Sequence, residues 1–223
     1  MTVPAHHPAP ELLLDYAAGN LREVQALLVA SHLAYCPDCR AQVAELEACG
    51  GALMEDLPPE PVSDSLFDAV MTRLSETRLG ETAAAPPPPA QEPPSRSLLP
   101  GPLRRAIGAE PEALDWVRIV PGIHLSTWAI SAGTASACLL RMGPRARVPA
   151  HRHTDSEMLL VMKGGFSDQF GAYRVGDVAS YETGTPHHAV ADADGECLCL
   201  LVQDQPLVFT GLLGWLLNRG YRF

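Results

Sequence analysis

The sequence predicts an α+β chain of two domains, a short acidic helical domain of about four helices followed by one small antiparallel β-barrel. Three observations lead there. Residues 1–80 carry apolar residues at helical spacing, residues 109–223 carry short β-rich runs parted by glycine turns, and a proline-dense stretch separates the two. That stretch holds four consecutive prolines starting at Pro86, then Pro93, Pro94, Pro100 and Pro102, so it is stiff and poor in backbone donors, and residues 81–108 read as a linker. With 223 residues, 47% hydrophobic and 19% charged, the chain is long enough to bury a core.

The helical elements follow in order. Residues 11–18 come after Pro10, a favourable first-turn residue, and end at Gly19. Asn20 with Glu23 three residues on has the form of a capping box and opens a helix with Val24, Leu27, Leu28 and Ser31 on one face. A third helix starts at Pro37 with Val43, Leu46 and Leu53 directed inward, and Gly50-Gly51 should kink or fray it. Residues 63–78 form a fourth, with a serine cap and an apolar stripe of Phe67, Val70, Met71 and Leu74. After the linker, strands are expected at 116–120, 123–131, 137–142, 157–162, 178–181 and 197–202, with turns such as Lys163-Gly164-Gly165 and Val175-Gly176-Asp177 between them. Many short strands at such intervals mean an antiparallel sandwich or barrel.

Charge narrows the function. Residues 1–80 hold twelve acids and four bases, net −8, while 111–223 hold eleven and nine, net −2, so most of the chain's −10 lies in the helical part. This opposes direct binding to nucleic acid or anionic lipid. There is no basic, apolar leader, and the longest nearly apolar run, residues 207–217, is shorter than the roughly 18 residues a membrane span needs, so a cytoplasmic protein is expected. In a reducing compartment Cys36, Cys39, Cys49, Cys138, Cys197 and Cys199 are thiols or metal ligands rather than a disulfide framework.

His32, Cys36 and Cys39 spell H-x-x-x-C-x-x-C across a helix junction. One turn separates each from the next, so imidazole and two thiolates converge on one point, as tetrahedral zinc requires. His6 or His7 supplies a fourth donor. A thioredoxin-like reading would need a preceding strand, which is absent. Cys49 lies outside the pattern and is taken as a small apolar residue of the third helix. With the His-His pair, the acidic helices and the proline-rich linker, this segment resembles the zinc-binding anti-sigma factors, and with the β-domain the whole chain resembles their ChrR type. The resemblance implies His7 as the fourth zinc ligand, beside His32, Cys36 and Cys39.

His151-x-His153-x-x-x-Glu157, then Gly164, Gly176-Asp177 and Gly184-x-x-His187, resembles the two-part motif of cupins, which implies a jelly-roll barrel. Alternate strand residues share a face, so His151 and His153 would point inward, with Glu157 and His187 joining from other strands. Three imidazoles and a carboxylate suit a second divalent metal: Zn, Mn, Fe or Ni. His188 would face away, His124 reads as an ordinary strand residue, and Cys197 and Cys199 as packed thiols.

Two functions follow. The ChrR resemblance implies a regulator that binds and inhibits an extracytoplasmic-function sigma factor, without catalytic residues, and releases it on oxidative stress, by singlet oxygen or related species, sensed through the cupin. Phe67, Val70, Met71 and Leu74 would supply apolar contact to sigma. The competing class is a cupin metalloenzyme, a dioxygenase or isomerase, with a helical appendage. A complete zinc set in an acidic domain favours the regulator, because an enzyme has no evident need for it.

Overall fold

The computed structural model of the chain describes residues 3–80, 97–132, 135–148, 151–152, 156–203 and 208–209. The chain forms two compact units, residues 1–50 with 97–223, and residues 51–96. Residues 81–96, where most of the linker prolines fall, lie outside the described residues, as does the apolar run at 207–217 apart from one short strand.

There are five described helices rather than about four. Helix α1 (Pro10–Ala17) opens on its proline, and Gly19 follows it at φ 72°. Helix α2 (Glu23–Leu33) starts after an extended Arg22 with no side-chain cap, so Asn20 does not close the expected capping box. Its backbone N–H instead donates to the Asp15 carbonyl at 2.8 Å and finishes α1. Helix α3 (Pro37–Glu55) runs unbroken through Gly50 and Gly51. Val43 is buried, but Leu53, expected to face inward, is 70% exposed, because the second half of α3 lies outside the clusters that bury its first half. Helix α4 (Leu66–Gly80) belongs to the 51–96 unit. The additional helix, α5 (Gly101–Ile107), falls inside the expected linker. Its proline sits in the first turn, where a missing N–H costs nothing, Gly108 ends it at φ 73°, and Leu103 is fully buried.

The strands are antiparallel: β1 (Trp116–Val120), β2 (Ile123–Ala132), β3 (Ala135–Met142), β4 (His151–Arg152), β5 (Glu157–Lys163), β6 (Gly165–Ser167), β7 (Ala172–Arg174), β8 (Val178–Tyr181), β9 (Val190–Ala191), β10 (Cys197–Gln203) and β11 (Val208–Phe209). They do not close into one barrel among the described residues. A six-stranded sheet, β1-β2-β3-β10-β5-β8, stands with a three-stranded sheet, β7-β6-β9, and a two-stranded pair, β11-β4.

Burial explains the layering, since β5 and β10 are covered on both faces. On one face Leu159, Val161, Cys199 and Leu201 pack with Phe166, Tyr173 and Ala191 of the three-stranded sheet. On the other, Leu160, Leu198, Leu200 and Val202 pack with Val24 and Leu28 of α2 and with Leu103 of α5. Helix α2 therefore serves two cores. Its Val29 turns away from the sheet into a third cluster with Leu13, Cys36, Cys39 and Val43.

Candidate metal centres

The helical centre is built by α2, by the junction into α3, and by the N-terminal arm. His32 is one turn before Cys36, and Cys39 is on the first turn of α3. Backbone geometry alone thus brings three donors to one side. The arm is held by the β-domain. Val178 N–H donates to the His6 carbonyl at 3.0 Å, and the Ala5 and His6 N–H groups donate to Asp177 Oδ1 at 2.7 and 3.0 Å. The two arm histidines then diverge. His6 packs its ring at a 46° tilt against Tyr173, centroids 4.6 Å apart, whereas His7 Nδ1 lies 3.4 Å from both Cys36 Sγ and Cys39 Sγ.

One donor atom from each of His7, His32, Cys36 and Cys39 falls within 4.8 Å of the others. Tetrahedral zinc, with Zn–S about 2.3 Å and Zn–N about 2.0 Å, needs donor separations of about 3.3–3.8 Å. His32 Nε2 is 3.3 Å from Cys39 Sγ, so together with the His7 contacts the donor set fits a zinc ion. The tautomer of His32 is also right. Its Nδ1–H donates to the Gly176 carbonyl at 2.8 Å, which, as a pure acceptor, leaves the Nε2 lone pair facing the sulfurs. Burial lowers the His32 pKa, partly offset by that carbonyl, and so keeps the imidazole neutral as a ligand must be. Burial, with Cys36 beside it, pushes the Cys39 thiol up to about 12.

In the β-domain, Glu157 and His187 meet, with Oε1 and Nε2 3.5 Å apart and both side chains buried. His151 is in β4 opposite Phe209, its side chain outside the described residues, as is all of His153. Three groups that the sequence reading missed connect to the pair, directly or through one another. Tyr181 stacks on His187 with centroids 3.7 Å apart, its hydroxyl donates to Asp168 Oδ2 at 2.6 Å, and Gln203 pairs directly opposite Glu157. A Gly-x-x-His pattern signals the histidine, but nothing in sequence marks the tyrosine that stacks on it. His188 is exposed, and His124 is half-buried. Cys197 and Cys199 place their sulfurs 3.6 Å apart in the buried core, where Cys197 and burial together raise the Cys199 pKa well above the ordinary thiol value. Cys49 is exposed on α3. On α4, Phe67, Val70, Met71 and Leu74 are between 46% and 71% exposed.

Known proteins share this combination. A family model for a putative zinc-finger matches residues 11–40, and one for the ChrR cupin-like domain matches residues 104–207. The anti-sigma-E factor ChrR of Cereibacter sphaeroides is 33% identical over 221 residues, spanning 97% of this chain and 98% of that protein. The chain belongs to the ChrR family of anti-sigma factors. It is accordingly a regulatory protein rather than an enzyme. The crystal structure of Rhodobacter sphaeroides SigE in complex with the anti-sigma ChrR aligns with a TM-score of 0.76 at 31% identity, covering 91% of this chain and 100% of the matched one. Among the described residues, no helix of this ChrR family member is long and apolar enough to cross a membrane.

Proposed function

We propose that this chain binds an extracytoplasmic-function sigma factor in the cytoplasm and holds it inactive, and that oxidative stress, by singlet oxygen or related species, releases the sigma factor through the cupin-like domain. The observation that carries the reading is the near full-length similarity to ChrR, a protein whose solved structure is a complex with SigE. The functional division is then residues 1–80 for sigma binding, 81–108 as connector and 109–223 for sensing. Two features of this chain support it. Residues 1–80 carry net −8, which complements the basic and mixed surfaces with which sigma factors meet promoters and polymerase. The stripe of Phe67, Val70, Met71 and Leu74 is exposed along α4, so it offers apolar area at once to a partner.

His7, His32, Cys36 and Cys39 would hold zinc, which when bound supplies a crosslink between the arm, α2 and α3. His32 would present Nε2, and Cys36 and Cys39 would bind as thiolates, their protons passing to the medium. His151, His153, Glu157 and His187 would hold a second divalent metal: Zn, Mn, Fe or Ni. The buried Glu157–His187 contact supports that reading. Tyr181 fixes the plane of the His187 ring by stacking.

Promoter-specific transcription with the purified sigma factor tests the proposal. The full chain should repress it, and chelation of zinc should restore transcription. In cells, Glu157→Ala should leave repression in place and blunt induction by singlet oxygen. Full repression by a zinc-free chain, or unaltered induction with Glu157→Ala, would contradict the corresponding half.

A further inference from the structure

The turn between β7 and β8 is far from the zinc-binding residues in sequence, yet it touches that centre at three points. The Gly176 carbonyl accepts from His32 Nδ1 at 2.8 Å, in a buried contact. Asp177, itself 2% exposed, divides its carboxylate: Oδ2 accepts Arg174 N–H at 2.7 Å and closes its own turn, while Oδ1 accepts Ala5 and His6 N–H across to the arm that carries His7. Gly176 also admits a close approach. It adopts φ 94°, and a Cβ there would lie 2.8 Å from Pro4 Cγ and 3.0 Å from Tyr35 Cβ, so the turn is seated against both the arm and the residue just ahead of Cys36.

We propose that Gly176 and Asp177 are positioning residues of the helical zinc centre, so that the β-domain sets how tightly the anti-sigma site keeps its metal. Groups that orient ligands act on affinity without touching the ion, and losing one typically costs about 10–100-fold. The turn is one hydrogen bond from His32 and one residue from His7. A displacement of β7 or β8 would therefore loosen two donors together. This rests on the reading of the four side chains as a zinc site.

The division of the Asp177 carboxylate supplies the test. Asp177→Ala removes both roles, whereas Ala5→Pro deletes one arm donor and leaves the Arg174–Asp177 turn bond untouched. Zinc affinity of the full-length chain is measured by competition with a chelating dye, and amide exchange is followed at the arm and in β10. Asp177→Ala should bind zinc at least ~10-fold more weakly. Ala5→Pro should weaken it by a smaller factor, and Asp177→Asn, which keeps one acceptor oxygen, should recover part of the loss. Exchange should rise at His6 and Val178 while β10 stays protected. Wild-type zinc affinity in both Asp177→Ala and Ala5→Pro would overturn the inference and leave the zinc reading standing. A wild-type chain that takes up no zinc would overturn both.

Discussion

Helices α2 and α4 both carry an apolar stripe at helical spacing, and they meet opposite fates. In α2, Val24 and Leu28 are buried against the six-stranded sheet and Val29 against the cysteine cluster, so the helix is consumed by its own chain. In α4, Phe67, Val70, Met71 and Leu74 remain exposed. Periodicity announces an apolar face but not its partner. For α2 the partner is internal and fixes the metal centre to the β-domain. For α4, in the reading proposed above, it is the sigma factor.

Charge insertion sharpens this contrast most. Leu28→Asp buries a carboxylate between helix and sheet and should destabilise the chain by roughly 4 kcal/mol or more. The equivalent Val70→Asp on α4 should change stability by no more than about 0.5 kcal/mol. Chemical denaturation of the two variants side by side checks the pair. Equal losses would erase the distinction between the helices.

Loss of a zinc ligand should come next. Cys39→Ser should abolish stoichiometric zinc and loosen the arm, α1 and the start of α3, because the metal's binding energy is part of their folding energy. Exchange in β5 and β10 should stay slow, since those strands are held by two other clusters. Metal analysis with hydrogen exchange reads both outcomes.

A modest gain is expected along the exposed second half of α3, where propensity rather than packing holds the helix. A Cβ at Gly50 meets nothing within 4 Å, so Gly50→Ala should raise stability by about 0.5–1 kcal/mol. A loss in the melting temperature would mean that this face is packed against something.

How much of this was legible follows from the length and locality of each signal. Strands β1 and β8 fall on the β-rich runs between turns, and β2, β3, β5 and β10 within two residues of them. The two- and three-residue strands β4, β6, β7, β9 and β11 are too short to carry a period. Helix α5 was hidden because Pro100 and Pro102 read as linker composition, although proline at a first turn and glycine at Gly108 are also how a short helix is bounded. The Asn20–Glu23 pair had the right spacing for a box, but the end of α1 took the Asn20 backbone. Of the four donor side chains that cluster at the candidate metal centre, helical spacing brings three together. Which of His6 and His7 lies beside the sulfurs does not follow from spacing, because the arm is held by Asp177 and the His6 ring by Tyr173, more than 160 residues away. No local pattern encodes such a contact.

In the reading proposed above, the exposed face of α4 is there for a partner. The direct measurement is the affinity of the full-length double variant Phe67→Asp with Met71→Asp for the purified sigma factor, beside its melting temperature and zinc content. Binding should be at least ~100-fold weaker, as for loss of paired apolar anchors, with melting and zinc content unchanged. Wild-type affinity in that variant, with the chain folded and zinc-loaded, would contradict it.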